Sequence, residues 1–193
     1  LLREIVNVGN ENSNKARYVD ASLKNGGIKI EFNGNNELDG IMRHIVKNAN
    51  GNVDDKLDIT ASSIGSSSCP LKNLLNDNPN QYFYTRGRDY LWICFDFKMH
   101  KIIPTHYTIK TNIGSNNIRS WRIEGSSDND SWEVLDQQTN CEYTHGDNRV
   151  HTFQINNQQN HNFRYLRLFS AGPSWIVDNC FLFVAIDFFG TLI

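Results

Sequence analysis

Catalytic chemistry in this chain would have to come from six histidines, four cysteines and dispersed carboxylates, and their spacing argues against it. His44, His100, His106, His145, His151 and His161 form no HExxH or HxH pattern, so no segment offers two imidazoles to one metal or a base to a nearby nucleophile. Cys69, Cys94, Cys141 and Cys180 include no CxxC pair and no Cys/His cluster at zinc-site spacing. Asp54-Asp55 and Asp128-Asn129-Asp130 carry oxygens suited to calcium, yet neither stretch matches an EF-hand loop. His106, within PTHYTI, reads as a framework residue hydrogen-bonded in or near the core. The chain is not expected to be an enzyme.

Binding chemistry is better represented. In YFYTRGRDYLW, Arg86 and Arg88 flank a glycine among Tyr82, Tyr84 and Tyr90. Arginine beside aromatic rings is a recurrent recognition surface for carboxylates, sugars and proteins. The alternative is a solvated connection whose tyrosines pack beneath it. Asn116, Asn117, Trp175 and Asn179 lie in two other turn-rich stretches and complete the candidate ligand-binding set of Arg86, Arg88, Tyr90, Asn116, Asn117, Trp175 and Asn179.

The elements that must position these residues are mostly strands. KLDITAS, QYFYT, LWICFDFK, THYTIKT, SWRIEGS, WEVLDQ, VHTFQI, NFRYLRLFS and FLFVAIDFFG are short, aromatic or β-branched, and separated by Gly, Pro, Asn and Ser. That texture predicts a β-sandwich or barrel. In SWRIEGSSDNDSWEVLD, Trp121 and Ile123 alternate with polar residues, as do Trp132 and Val134, which predicts a hairpin with both indoles facing inward. PLKNLL is the one helical turn expected there. Ahead of this region, GGIKIEF predicts a strand over 28–32. LDGIMRHIVKNANG predicts a helix over 38–48 with one apolar stripe. LLREIV at the start reads as the tail of a preceding helix. The division expected is a lead-in segment over 1–52 and a β domain over 53–193.

Composition sets outer bounds. With 193 residues, 39% hydrophobic and 21% charged, the chain can bury one substantial core. A net charge of −2 supplies no basic field for nucleic acid. No apolar run approaches the roughly 20 residues of a membrane span. Cys94 and Cys180 adjoin apolar strands, and the four cysteines are expected as thiols in a reducing compartment. The frequent asparagines are expected in turns. Asn129-Asp130-Ser131 is a formal glycosylation sequon. The chain opens on Leu1 with no charged-then-apolar leader and is expected to be part of a longer protein.

The ordered series LWICFDFK, PTHYTIKT, SWRIEGSSDNDSWEVLD, FRYLRLF and VAIDFFG resembles the discoidin or F5/8 type C family, from about Val53 to Ile193, in the texture of intracellular members that follow BTB-type regions. The resemblance implies an all-β jelly-roll sandwich of about eight main strands, galactose-binding-like, that meets ligands through loops at one end. It implies a core of Trp92, Phe95, Trp121, Trp132, Phe163 and Phe188, with Arg164 and Arg167 stitching strands to carboxylates such as Asp96 or Glu124. No cofactor is expected, although some relatives of the fold hold a structural calcium. Secreted members tie the domain's ends with a disulfide; nothing before Cys69 could supply the first cysteine. In membrane-binding members bulky apolar residues crown the tip loops, and here Trp175 fits that role. The expected function is therefore non-catalytic recognition: protein–protein interaction within a larger cytoplasmic assembly, cytoskeletal or ciliary by analogy. A lectin-like module for galactose-type sugars is the alternative, and a peripheral phospholipid binder the distant one.

Overall fold

The computed structural model describes residues 26–87, 90–114, 116–175 and 180–193. Two antiparallel sheets face each other. One contains β1 (Ile28–Ile30), β5 (Ile102–Lys110), β8 (Val150–Gln154) and β11 (Ala185–Leu192), in the order β1-β11-β5-β8. The other contains β2 (Asp58–Ala61), β4 (Trp92–Asp96), β6 (Trp121–Ser126), β7 (Glu133–Gln138) and β9 (Tyr165–Ser170), in the order β2-β4-β9-β6-β7. A short pair, β3 (Phe83–Tyr84) with β10 (Leu182–Phe183), closes one side. Of the sandwich or barrel that the strand texture left open this is the sandwich, with the jelly-roll character that the family resemblance implied. PLKNLL forms a 3-10 turn at Leu71–Leu75.

Alternation decides what fills the space between the sheets. Ile93, Phe95 and Phe97 enter from the β4 segment, Trp121 and Ile123 from β6, Leu166 and Leu168 from β9, and Tyr107, Ile186 and Phe188 from the facing sheet, all essentially without solvent exposure. Phe95 meets Phe188 edge-on at 5.4 Å, and Tyr107 stacks on Phe153 at 5.0 Å. Burying the Trp121 indole contributes about 4–6 kcal/mol, taking about 150–250 Å² of apolar surface at roughly 25 cal/mol per Å². Its N–H donates to the Tyr107 hydroxyl (2.8 Å), which donates to Asp136 (2.6 Å), so the core's polar atoms are satisfied in series.

Two of the expected core tryptophans are not in the core. Trp92 precedes the inward Ile93 and therefore lies on the outer face, half-buried opposite Phe169. Trp132 precedes β7 and also lies outside, with the Arg167 guanidinium 3.8 Å from its ring centre. The cause is a bulge in the hairpin: Ile123 pairs with Asp136 but Glu124 with Val134, so Leu135 is the extra residue. One added residue exchanges the faces of everything beyond it. Leu135 becomes buried and Val134 exposed, the reverse of the simple alternation. Phe95, Trp121, Phe163 and Phe188 are buried as expected. The arginines also stitch as expected: Arg164 forks onto Asp96 (2.8 and 2.9 Å), and Arg167 holds the buried Glu124.

The strand expected over 28–32 is Ile28–Ile30 and pairs with β11. The helix expected over 38–48 is α1 (Ile41–Asn48), whose Ile41, Met42 and Ile45 are buried. Its start is fixed from far away. Asp187, on the apolar strand β11, accepts hydrogen bonds from the backbone N–H of Gly40 (2.9 Å), Met42 (2.8 Å) and Arg43 (3.3 Å). Burial pushes the Asp187 carboxyl up to about 6, against the pull of these amides. Gly190 sits at a second bulge with φ +142°, where a Cβ would stand 2.0 Å from the Ile103 carbonyl oxygen. The LLREIV segment lies outside the described residues.

Candidate functional site

Strands β5, β6 and β9 each open or close onto the same end of the sandwich, where the segments 111–114, 116–120, 139–149 and 171–175 meet. Asn117 is the brace. Fully buried, its side-chain oxygen accepts from the Asn112 N–H (2.9 Å), and its amide donates to the carbonyls of Gly114 (2.8 Å) and Gly146 (3.2 Å). The Thr144 hydroxyl donates to Ile118 O (2.6 Å), binding segment 139–149 to segment 116–120. Segment 171–175 joins through Ala171 N–H to Ser120 O (3.1 Å) and Trp175 N–H to Asn117 O (3.3 Å). Asn116 accepts from the Ser174 hydroxyl at 2.6 Å and donates to the Cys180 sulfur at 3.4 Å.

The side chains left facing outward form a mixed aromatic and polar cluster. Trp175 is half-buried and stacks on the His145 ring at 4.3 Å with 21° between planes. The Arg119 guanidinium carbon lies 4.7 Å from the Trp175 ring centre. Asn116 immediately precedes the brace and is linked towards Trp175 through Ser174. Beside this cluster Tyr143 stacks on His151 at 3.7 Å, with planes 5° apart. Burial holds His151 below the usual histidine range. An aromatic platform edged by guanidinium, imidazole and amide donors suits a ligand with an apolar face and several hydroxyls.

Of the residues predicted from sequence, Asn116, Asn117 and Trp175 come together directly. Arg86 and Tyr90 stand on the neighbouring 85–91 connection. This is pinned to the same end by Thr85, whose N–H donates to Phe181 O (2.9 Å) and whose hydroxyl accepts from Phe181 N–H (2.8 Å). Arg86 is exposed, with its N–H on the Ser63 hydroxyl at 2.9 Å; Tyr90 is 79% exposed with φ +57°. Arg88 and Asn179 lie outside the described residues. Two members of the cluster, Arg119 and His145, were not singled out by sequence; NNIRSW and YTHGD carry no local mark of their meeting across the loops. The bulky residues most exposed at this end are Tyr90, Tyr143, Ile113 and Ile64, rather than the stacked Trp175.

Other sequence candidates play scaffold parts. His106 is partly buried beneath Phe32, at 5.6 Å, and contacts the Thr105 hydroxyl at 3.1 Å. Asp128 spends Oδ1 on its own turn, accepting from Asp130 N–H (2.9 Å), Ser131 N–H (2.8 Å) and the Ser126 hydroxyl (3.0 Å). Those donors draw its carboxyl down to about 2. Among the described residues, no three His, Cys, Asp or Glu side chains gather as a metal-binding group. No helix among them is long and apolar enough to cross a membrane. Cys94 is buried under Arg167 on the outer face, and desolvation pushes its thiol up to about 12.

The comparisons agree with this architecture. The sequence model described as F5/8 type C domain matches residues 58–180, and the chain belongs to that family. No curated protein matches it. Among solved structures, CpGH89CBM32-5 from Clostridium perfringens, in complex with GalNAc-β-1,3-galactose, superposes with a TM-score of 0.55 at 14% identity, covering 69% of this chain and 95% of that one. The C-terminal domain of a chitobiase from Bacteroides fragilis gives 0.56 at 19% identity, covering 72% and 95%. The family 32 CBM of Clostridium perfringens NanJ, in complex with galactose, gives 0.53 at 12% identity, covering 68% and 92%. At these identities the likeness is one of fold.

Proposed function

We propose that this domain is a non-catalytic glycan-binding module whose loop end receives a galactose-type sugar. The observation that carries the reading is the Trp175–His145–Arg119–Asn116 cluster, held on a frame of buried hydrogen bonds. A pyranose would lay its C–H face against an aromatic ring while Arg119 and Asn116 meet its hydroxyls. The sugar complexes of the similarly folded Clostridium modules support the same choice. Titration calorimetry with galactose and GalNAc-β-1,3-galactose tests it. The expected result is saturable binding that Trp175→Ala and Arg119→Ala each weaken by about tenfold or more. A folded protein that binds neither sugar on a glycan array would overturn the reading.

A second reading is a protein-interaction module. It rests on the exposed Tyr90 and Arg86, a pair of the kind that dominates protein hot spots. Cytoplasmic placement goes with that reading and with the buried thiols of Cys69, Cys94 and Cys141. Affinity purification with wild type and Tyr90→Ala separates the two, because Tyr90→Ala should abolish a protein partner and leave sugar binding intact.

A further inference from the structure

The opposite end of the sandwich carries a separate cleft. It has a volume of about 570 Å³ and lies between the β6–β7 turn and the connection from β8 to β9. Six-residue strands β6 and β9 separate it from the loop end by about 17–20 Å. Gly125 and Phe163 form its floor; a Cβ at Gly125 would lie 2.7 Å from the Phe163 ring, so this close approach requires glycine. Trp132 forms one wall, and Asp128, Glu133, Asn160, His161 and Asn162 supply the polar rim.

We propose that this cleft is a second glycan site, specific for uncharged or amino sugars, with Trp132 as its stacking platform. The hairpin bulge places an indole on the outside of the sheet, where the Arg167 guanidinium supports it 3.8 Å from the ring centre. Arg167 is itself fixed on the buried Glu124, so the platform is rigid before any ligand arrives. Around it the rim is preset. Asn157 holds the His161 backbone at both its N–H (2.9 Å) and its carbonyl (2.8 Å), and His161 Nδ1 lies 3.0 Å from a Glu133 carboxylate oxygen. The rim therefore presents carboxylate, amide, hydroxyl and imidazole groups beside an aromatic face, the combination that recognises a pyranose rather than an alkyl chain. Charge selects further. The lining contains Asp128 and Glu133 but neither Lys nor Arg, while the nearby Arg164 and Arg167 are committed to Asp96 and Glu124. Sulfated, phosphorylated and sialylated sugars are disfavoured by this sign of charge. A volume of this size is within the about 300–1,000 Å³ usual for small-ligand sites.

The test follows the four indole N–H signals of the ¹⁵N-labelled protein, assigned by single Trp→Phe variants, during titration with methyl β-galactoside, diacetylchitobiose, glucosamine and sialyllactose. The expected result is a saturable shift of the Trp132 signal with at least one of the first three. It persists in Trp175→Ala, and Trp132→Ala weakens that binding by about tenfold. Glu133→Gln, on the exposed rim, should weaken it by a smaller factor without disturbing the fold. A Trp132 signal that stays still with all the neutral and amino sugars, moves only with sialyllactose, or moves only when Trp175 is intact would overturn the proposal. The two glycan readings fail separately, because each has its own tryptophan.

Discussion

The two ends of the sandwich are built by different kinds of contact. At the loop end the bonds that set the shape span the sequence: Asn117 reaches Gly146, Thr144 reaches Ile118, Asn116 reaches Ser174, and Thr85 reaches Phe181. At the turn end each turn is closed locally, and long-range contacts such as His161 with Glu133 only join turns already shaped. Asp128 caps its own turn within three residues, and Asn157 closes the 157–161 turn within four. A turn of the second kind forms as soon as its residues are adjacent. A frame of the first kind exists only when the whole fold does, so a single substitution there disturbs several connections together.

Asn117→Ala is accordingly expected to have the largest effect. It leaves the Asn112 N–H and the Gly114 carbonyl without their buried partner and the Gly146 carbonyl with the Thr111 hydroxyl alone, a loss of about 2–4 kcal/mol. Chemical denaturation should show the shift, and sugar binding at the loop end should weaken with it. If stability holds and only binding falls, Asn117 is acting on the ligand directly and the contrast between the ends is weaker than drawn.

The cap on α1 belongs to the long-range kind, and pH sharpens the point. Asp187 is raised from its ordinary 3.8 to about 6, so in the folded state it keeps its proton to higher pH than in the unfolded chain. The folded state therefore binds more protons between those values, and stability falls as pH rises from about 4 to about 6, by roughly 3 kcal/mol. Asp187→Asn should flatten that dependence in melting experiments across the same window. An unchanged slope would mean that other groups set it.

Much of the fold was legible because the signals that made it are local. Period-two apolar residues in WICFDF, THYTI and RYLRLF marked strands, and the stripe in IMRHIV marked the helix that α1 became. What failed depended on a single extra residue. Nothing in SWEVLD announces that Leu135 will be the bulge, yet that bulge moves Trp132 from the core to the surface. Asp187 is the same lesson in reverse: in FLFVAIDFFG it looks like an interruption, and its purpose is a helix start 145 residues earlier in the chain at Met42. The candidate site was legible one loop at a time. Asn116 and Trp175 could be chosen by type, but Arg119 and His145 acquire meaning only when three connections meet.

The smallest effect should come from the local end. Three donors hold Asp128 at about 2, below its ordinary 3.8. A depressed carboxyl contributes stability that is present above the unfolded value and lost as pH falls through the folded one, so the window here runs from about pH 4 down to about 2. The turn is exposed, solvent screens it, and its strands are anchored elsewhere, so Asp128→Asn should lower the melting temperature only slightly. Hydrogen exchange is the sharper measurement. In the Asp128→Asn variant, protection at the Asp130 and Ser131 amides should fall, while that at Asn112, whose N–H Asn117 accepts at the other end, stays unchanged. Loss of protection at both ends from this one substitution would mean that the turn and the loop frame form a single cooperative unit, and the distinction between them would have to be abandoned.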